Sequence, residues 1–153
     1  MNIKTILFLF VCAFIVACKT EKPKVTAPIP IKLPPVPEEF IVNAFNTIDH
    51  IDYLFRNTNF SVSQAEPGAI KHTISLLSPG EVSSVDPACK PNVRMTYLSQ
   101  GNIMFDTEMY ITENCVFVEY YIDNKKTYQS SFSEEGFNFL INIINSASSG
   151  RGG

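Results

Sequence analysis

Apolar residues recur at helical spacing from Ile41 through Phe45, Ile48 and Ile51 to Phe55, with Ala44 and Leu54 beside them. Pro37-Glu38-Glu39 precedes this stripe. Proline is preorganised for the first helical position, and acids suit the positive end of a helix. Arg56-Asn57 suits its far end, so the pattern predicts a helix over 37–56. Ile70, His72, Ile74 and Leu76 then alternate with Lys71, Thr73 and Ser75, which predicts a strand over 69–77. Pro79, Gly80, Pro87 and Pro91 make 78–92 a loop. Four β-rich runs follow: Val93–Ser99, Ile103–Thr112, Cys115–Ile122 and Lys126–Phe132. Turn-like residues separate them at 100–102, 113–114 and 123–124, as in an antiparallel meander. Ser133 can cap a last helix, with Glu134 and Glu135 in its first turn and Phe137, Leu140, Ile141 and Ile144 on its apolar side. The fold class expected is α+β: an N-terminal helix, a meander of four to five strands and a C-terminal helix, the helices packed on one sheet face. The domain is expected to span 38–146, with 147–153 a disordered tail.

Turn lengths set a register. A two-residue turn at 113–114 pairs 110 with 117, one at 123–124 pairs 121 with 126, and a three-residue turn at 100–102 pairs 98 with 104. One face then carries Val93, Met95, Tyr97, Ile103, Phe105, Met109, Ile111, Val116, Val118, Tyr120 and Ile122 as a core. The other carries two cross-strand rows. The first is Arg94, Glu108, Glu119 and Tyr128; the second is Thr96, Asp106, Tyr121 and Lys126, with Tyr110 beside Phe117. Glu108 faces Glu119, which costs stability, and Arg94 is placed to offset it. This face is either a solvated sheet surface or a recognition surface. The candidate binding residues are Arg94, Asp106, Glu108, Tyr110, Phe117, Glu119, Tyr121 and Tyr128.

The N-terminus has its own pattern. Lys4 precedes an almost wholly apolar run, Thr5 to Phe14, too short for a bilayer span of about 20 residues. Ile15-Val16-Ala17-Cys18 follows. Aliphatic residue, permissive residue, small residue and Cys in this order resemble the lipobox of bacterial lipoproteins. The resemblance implies a signal peptide over 1–17, cleavage before Cys18, and lipidation of Cys18. Lys19 stands where an Asp would mark inner-membrane retention, so the resemblance implies an outer-membrane anchor facing the periplasm, with surface exposure left open. Residues 18–37 contain six prolines and read as a polyproline tether of about 50–60 Å if extended.

Charge refines the picture. The tether holds four lysines against Glu21, a balance of +3, while residues 38–153 hold 7 bases against 14 acids, a balance of −7. Such a domain is unsuited to nucleic-acid phosphates. Of four cysteines, Cys12 leaves with the signal and Cys18 takes the lipid. Cys89 and Cys115 are expected to form a disulfide in an exported protein. The register puts position 90 two strands from 115, about 10 Å at sheet spacing, so Pro87–Pro91 must curl over the sheet end. His50 falls on the polar side of the first helix and His72 on the apolar side of its strand. No nucleophile elbow, phosphate loop, zinc helix or dinucleotide fingerprint is present. The expectation is a non-enzymatic, lipid-anchored envelope protein, without metal or cofactor, whose domain binds a protein partner in the envelope. The alternative is a periplasmic inhibitor or immunity-type lipoprotein whose acidic face blocks an enzyme or toxin.

Overall fold

The computed structural model describes residues 32–149, apart from Asn57, Asn59 and Glu113. The signal, Cys18 and most of the tether lie outside these residues. In chain order the elements are α1 (Glu38–Thr47), β1 (His50–Phe55), β2 (Ser61–Gln64), α2 (Pro67–Ser75), β3 (Val93–Ser99), β4 (Asn102–Thr112), β5 (Cys115–Ile122), β6 (Lys125–Ser130) and α3 (Glu134–Ser149). The class is α+β. The sheet has six strands in the order β2-β1-β3-β4-β5-β6, and every neighbouring pair is antiparallel.

The helix expected over 37–56 stops at Thr47, and its second half is β1. Ile48 adopts φ −73°, ψ 130°, while its N–H still closes the last turn on Ala44. Ile51 and Phe55 satisfy a helical period, but Ile51, Tyr53 and Phe55 also satisfy a period of two. Those three are buried. Asp49, His50 and Ile51 are weak helix formers, and a six-residue ladder to β3 outweighs what helicity they have. The strand expected over 69–77 is the helix α2. Pro67 takes its first position, and the Glu66 carboxylate accepts from the N–H groups of Gly68 at 2.9 Å and Ala69 at 2.5 Å. Ile70, Thr73 and Ile74 form its buried stripe, while His72 is exposed, its ring edge-on to Phe139 at 5.4 Å. β2 has one apolar residue, Val62, and so gave no periodic signal.

The meander is where it was expected, with two local differences. Gln100 and Gly101 form a two-residue turn, both at positive φ, so Ser99 pairs with Asn102 and Leu98 with Ile103. A bulge between Tyr97 and Leu98 then restores the expected register, pairing Thr96 with Asp106 and Arg94 with Glu108. Ile103, expected in the core, is 64% exposed. A second bulge lies between Tyr120 and Tyr121. Tyr121 still pairs with Lys126, but Tyr120 faces Tyr128 and Glu119 faces Gln129. Tyr128 therefore lies on the helix-covered face, 5.9 Å from the Phe40 ring, and not in the charged row. Val116, also expected in the core, is 42% exposed, near the start of β5.

The core sits between one sheet face and the helices. Ile51, Met95, Tyr97, Phe105, Val118 and Tyr120 meet Phe40, Ala44, Ile70, Ile74 and Leu140. Full burial of an aliphatic or aromatic side chain contributes about 1.5–3 kcal/mol relative to exposure. Ser133 caps α3 as expected: its hydroxyl accepts from the N–H of Gly136 at 3.0 Å and donates to the Leu76 carbonyl at 3.0 Å. α3 runs past residue 146 to Ser149. At the other terminus the folded unit begins before residue 38. Val36 is buried, its N–H donating to Ser130 Oγ at 2.9 Å, and Gln129 N–H donates to the Pro34 carbonyl at 2.9 Å. The end of the proline-rich segment thus lies along β6.

Residues 78–92 form a strap across the other sheet face. Ser131 N–H donates to the Gly80 carbonyl at 2.8 Å, and Asn92 N–H to that of Met109 at 2.8 Å. Between these points Val82, Val85 and Cys89 pack on Tyr110, Cys115 and Phe117. Cys89 and Cys115 are at disulfide distance, with Cα atoms 5.9 Å apart. The curl expected of the Pro87–Pro91 region occurs: a turn at Asp86–Cys89 lifts Cys89 over the sheet, out of the β3 ladder.

Candidate functional site

The candidate residues lie on the face opposite the helices. The period of two puts Asp106, Glu108 and Tyr110 of β4 there, with Phe117, Glu119 and Tyr121 of β5 and Arg94 and Thr96 of β3. Pairing with β3 adds His50, Asp52 and Leu54 of β1 to the same face.

Glu119 is the centre. It is 4% exposed. Its carboxylate accepts from the Tyr110 hydroxyl at 2.9 Å, the Tyr121 hydroxyl at 3.1 Å and the Gln129 amide at 3.2 Å, and pairs with Lys126 Nζ at 2.7 Å. Glu108 pairs with Arg56 and is also within reach of the Tyr121 hydroxyl, at 3.2 Å. Asp106, buried, takes Arg94 in a fork at 2.9 and 3.4 Å and the Thr96 hydroxyl at 2.6 Å. Three carboxylates therefore meet three cations. Glu108 does face Glu119, but the relief differs from the expectation. Arg94 serves Asp106, while Arg56 and Lys126 serve the glutamates and Tyr121 lies between them.

Placement divides the eight candidates. Asp106, Tyr110, Phe117 and Glu119 are buried, the two aromatics stacked at 4.2 Å beneath the strap. Arg94, Glu108 and Tyr121 are partly exposed. Tyr128 is on the opposite face. Three participants went unforeseen. Arg56 was assigned to a helix end, Gln129 took its place through the bulge, and the group around Asp52 arose from β1 and β2. Asp52 accepts from Ser63 Oγ at 2.5 Å and lies 3.1 Å from His50 Nε2. The Ser63 hydrogen bond, then His50, hold its carboxyl below the usual value. The order Ser–Asp–His puts the carboxylate between hydroxyl and imidazole, so the imidazole cannot serve as base to that hydroxyl. Among the described residues no three His, Cys, Asp or Glu side chains converge as a metal site, and no helix is long and apolar enough to cross a membrane.

Burial, followed by the charge of Glu119, raises the Tyr110 and Tyr121 phenols above their usual 10.0. A phenol whose folded pKa is raised adds stability that is complete below the unfolded value and is lost as pH rises through the folded one. Melting temperature should therefore hold up to about pH 10 and fall steeply above it, with phenolate absorbance rising as the fold is lost. Phenolate formation near pH 10 in a still-folded chain, by Tyr110 and Tyr121, would contradict this placement.

Comparison with protein-family models, with characterised proteins and with solved structures finds no match for the chain.

Proposed function

We propose that this protein is a lipid-anchored, non-enzymatic envelope protein whose α+β domain binds another envelope protein. The observation that carries the reading is the N-terminal order: an apolar run, Ile15-Val16-Ala17-Cys18, then a proline-rich segment whose last residues dock on β6. Two or three acyl chains, at about 0.8 kcal/mol per buried CH₂, hold such a protein on a membrane. Lys19, next after Cys18, favours the outer membrane, facing the periplasm, in a cell that has one. The domain's charged row supports binding over catalysis. Each of Asp106, Glu108 and Glu119 is already held by a cation and by at least one hydroxyl donor, an arrangement that suits ion pairing more than proton transfer. The same pairing weakens the inhibitor reading, which draws on an acidic, tyrosine-bearing face, since its three carboxylates are matched by cations and Tyr110 is buried.

The open part of that face is the binding surface in this reading. Leu54 is 52% and Met104 43% exposed there, flanking Arg94 and Tyr121. Photo-crosslinkers placed at Leu54 and Met104 in the full chain should capture one envelope assembly protein in intact cells. The same group at Val42 on α1 should not. Capture of a hydrolase or toxin would replace this reading with the inhibitor one. Equal capture from Val42 would remove the surface.

A further inference from the structure

The two edges of the sheet are finished differently. The outer side of β6 is occupied by the chain itself, through Pro34 and Val36. β2 is the other edge, and among the described residues its one strand partner is β1. The Phe55 N–H to Phe60 carbonyl bond, 3.3 Å, sets its polarity. Positions 60, 62 and 64 face β1 with their backbone groups, so the N–H and C=O of Ser61 and Ser63 point outward. Sheet edges are usually blunted by charge, proline or a bulge. The segment Phe60-Ser61-Val62-Ser63-Gln64-Ala65 has no charge and no proline. Shortness is its one restraint. Phe60 and Val62 are 42% and 36% exposed, on the helix-covered side, with Phe60 5.6 Å from Phe55.

We propose that β2 pairs antiparallel with β2 of a second copy of this chain, about a two-fold axis at Val62. The strand matches itself in this register. Ser61 stands opposite the second copy's Ser63, so the outward N–H and C=O groups on both strands find partners. Val62 stands opposite Val62, a β-branched pair in a narrow, non-hydrogen-bonded position. Phe60 stands opposite Gln64, whose side chain is held in place by the Tyr53 hydroxyl at 2.9 Å and the Thr73 hydroxyl at 3.0 Å. A two-fold axis normal to the sheet keeps both helical layers on one side, so Phe60 and Val62 of the two copies form one apolar row. No charge opposes another. A four-residue ladder falls below the roughly 1,000 Å² of stable interfaces, so the pairing is weak and concentration-dependent. The inference does not need the lipid anchor.

The test is oxidation of the full-length, detergent-solubilised chain carrying Val62→Cys, beside one carrying Ser61→Cys. Narrow antiparallel pairs have Cα atoms about 4.5 Å apart, within disulfide range. Val62→Cys should give a covalent homodimer at a yield at least about tenfold that of Ser61→Cys, which is offset from its own copy in this register. Adding Ser61→Pro removes one outward N–H per copy and leaves the β1 ladder intact. It should cut the Val62→Cys dimer about tenfold with little change in melting temperature. Where Ser61→Pro unfolds the chain, Val62→Lys, assayed by sedimentation, provides the same comparison by opposing like charges. Equal yields from the two cysteines, a Val62→Cys cross-link to a different protein, or a dimer insensitive to both blocking variants would overturn the proposal.

Discussion

Reducing the Cys89–Cys115 pair, or replacing both residues with serine, should destabilise the domain by about 3–4 kcal/mol. The pair closes a loop of sequence separation 26, for which the loop-entropy account gives this magnitude. In a domain of this size the melting temperature should fall by about 10–20 °C. The effect should also be local. The strap is held by its ends near Gly80 and Asn92 and by three apolar contacts on Tyr110, Cys115 and Phe117. Once the cross-link is lost, proteases should cut within 78–92 well below the melting temperature, and Tyr110 and Phe117 should gain access to solvent. A melting temperature unmoved by reductant would mean that the strap is held by other contacts.

Glu119→Ala should cost about 2–4 kcal/mol, since a buried donor left without a partner costs about 1–3 kcal/mol and two are stranded. It strands the buried Tyr110 hydroxyl and Gln129 amide, while Lys126, whose side chain is 43% exposed, can be hydrated. Glu119→Gln keeps the shape but loses the charge and should fall between. Glu108→Ala should cost less, since that carboxylate is nearer solvent and the one hydroxyl it accepts from, Tyr121, still reaches Glu119. Chemical denaturation of the three variants gives the order directly. A near-neutral Glu119→Ala that abolished partner binding would mean that this carboxylate serves recognition and not the fold.

The meander was legible because turn signals and alternation agree there. The 113–114 spacing is enough to pair Tyr110 with Phe117, whereas Arg94 meets Glu108, as a three-residue turn at 100–102 would place it, only because the bulge at Tyr97 and Leu98 offsets a turn that is one residue shorter. Tyr128 was misplaced because a single bulge reverses every side chain beyond it, and a bulge leaves no mark in a period-two pattern. The segment 48–55 was read as helix because its apolar residues fit both periods, and only long-range pairing with β3 decides between them. The start of α2 did carry a signal, Glu66-Pro67, which the alternation at 70–76 obscured. The candidate face was partly legible. Its row order could be read from register, but the strap that covers Tyr110 and Phe117 could not, since crossing a sheet is a tertiary event with no local pattern.

The central claim is that the mature chain begins at a lipidated Cys18. Mass analysis of the N-terminal peptide from the membrane-bound protein tests it most directly. The account predicts a peptide that starts at residue 18, with a diacylglyceryl thioether on its sulfur and an acyl group on its amine. A peptide that starts at Met1, or one that contains an unmodified Cys18, would contradict it.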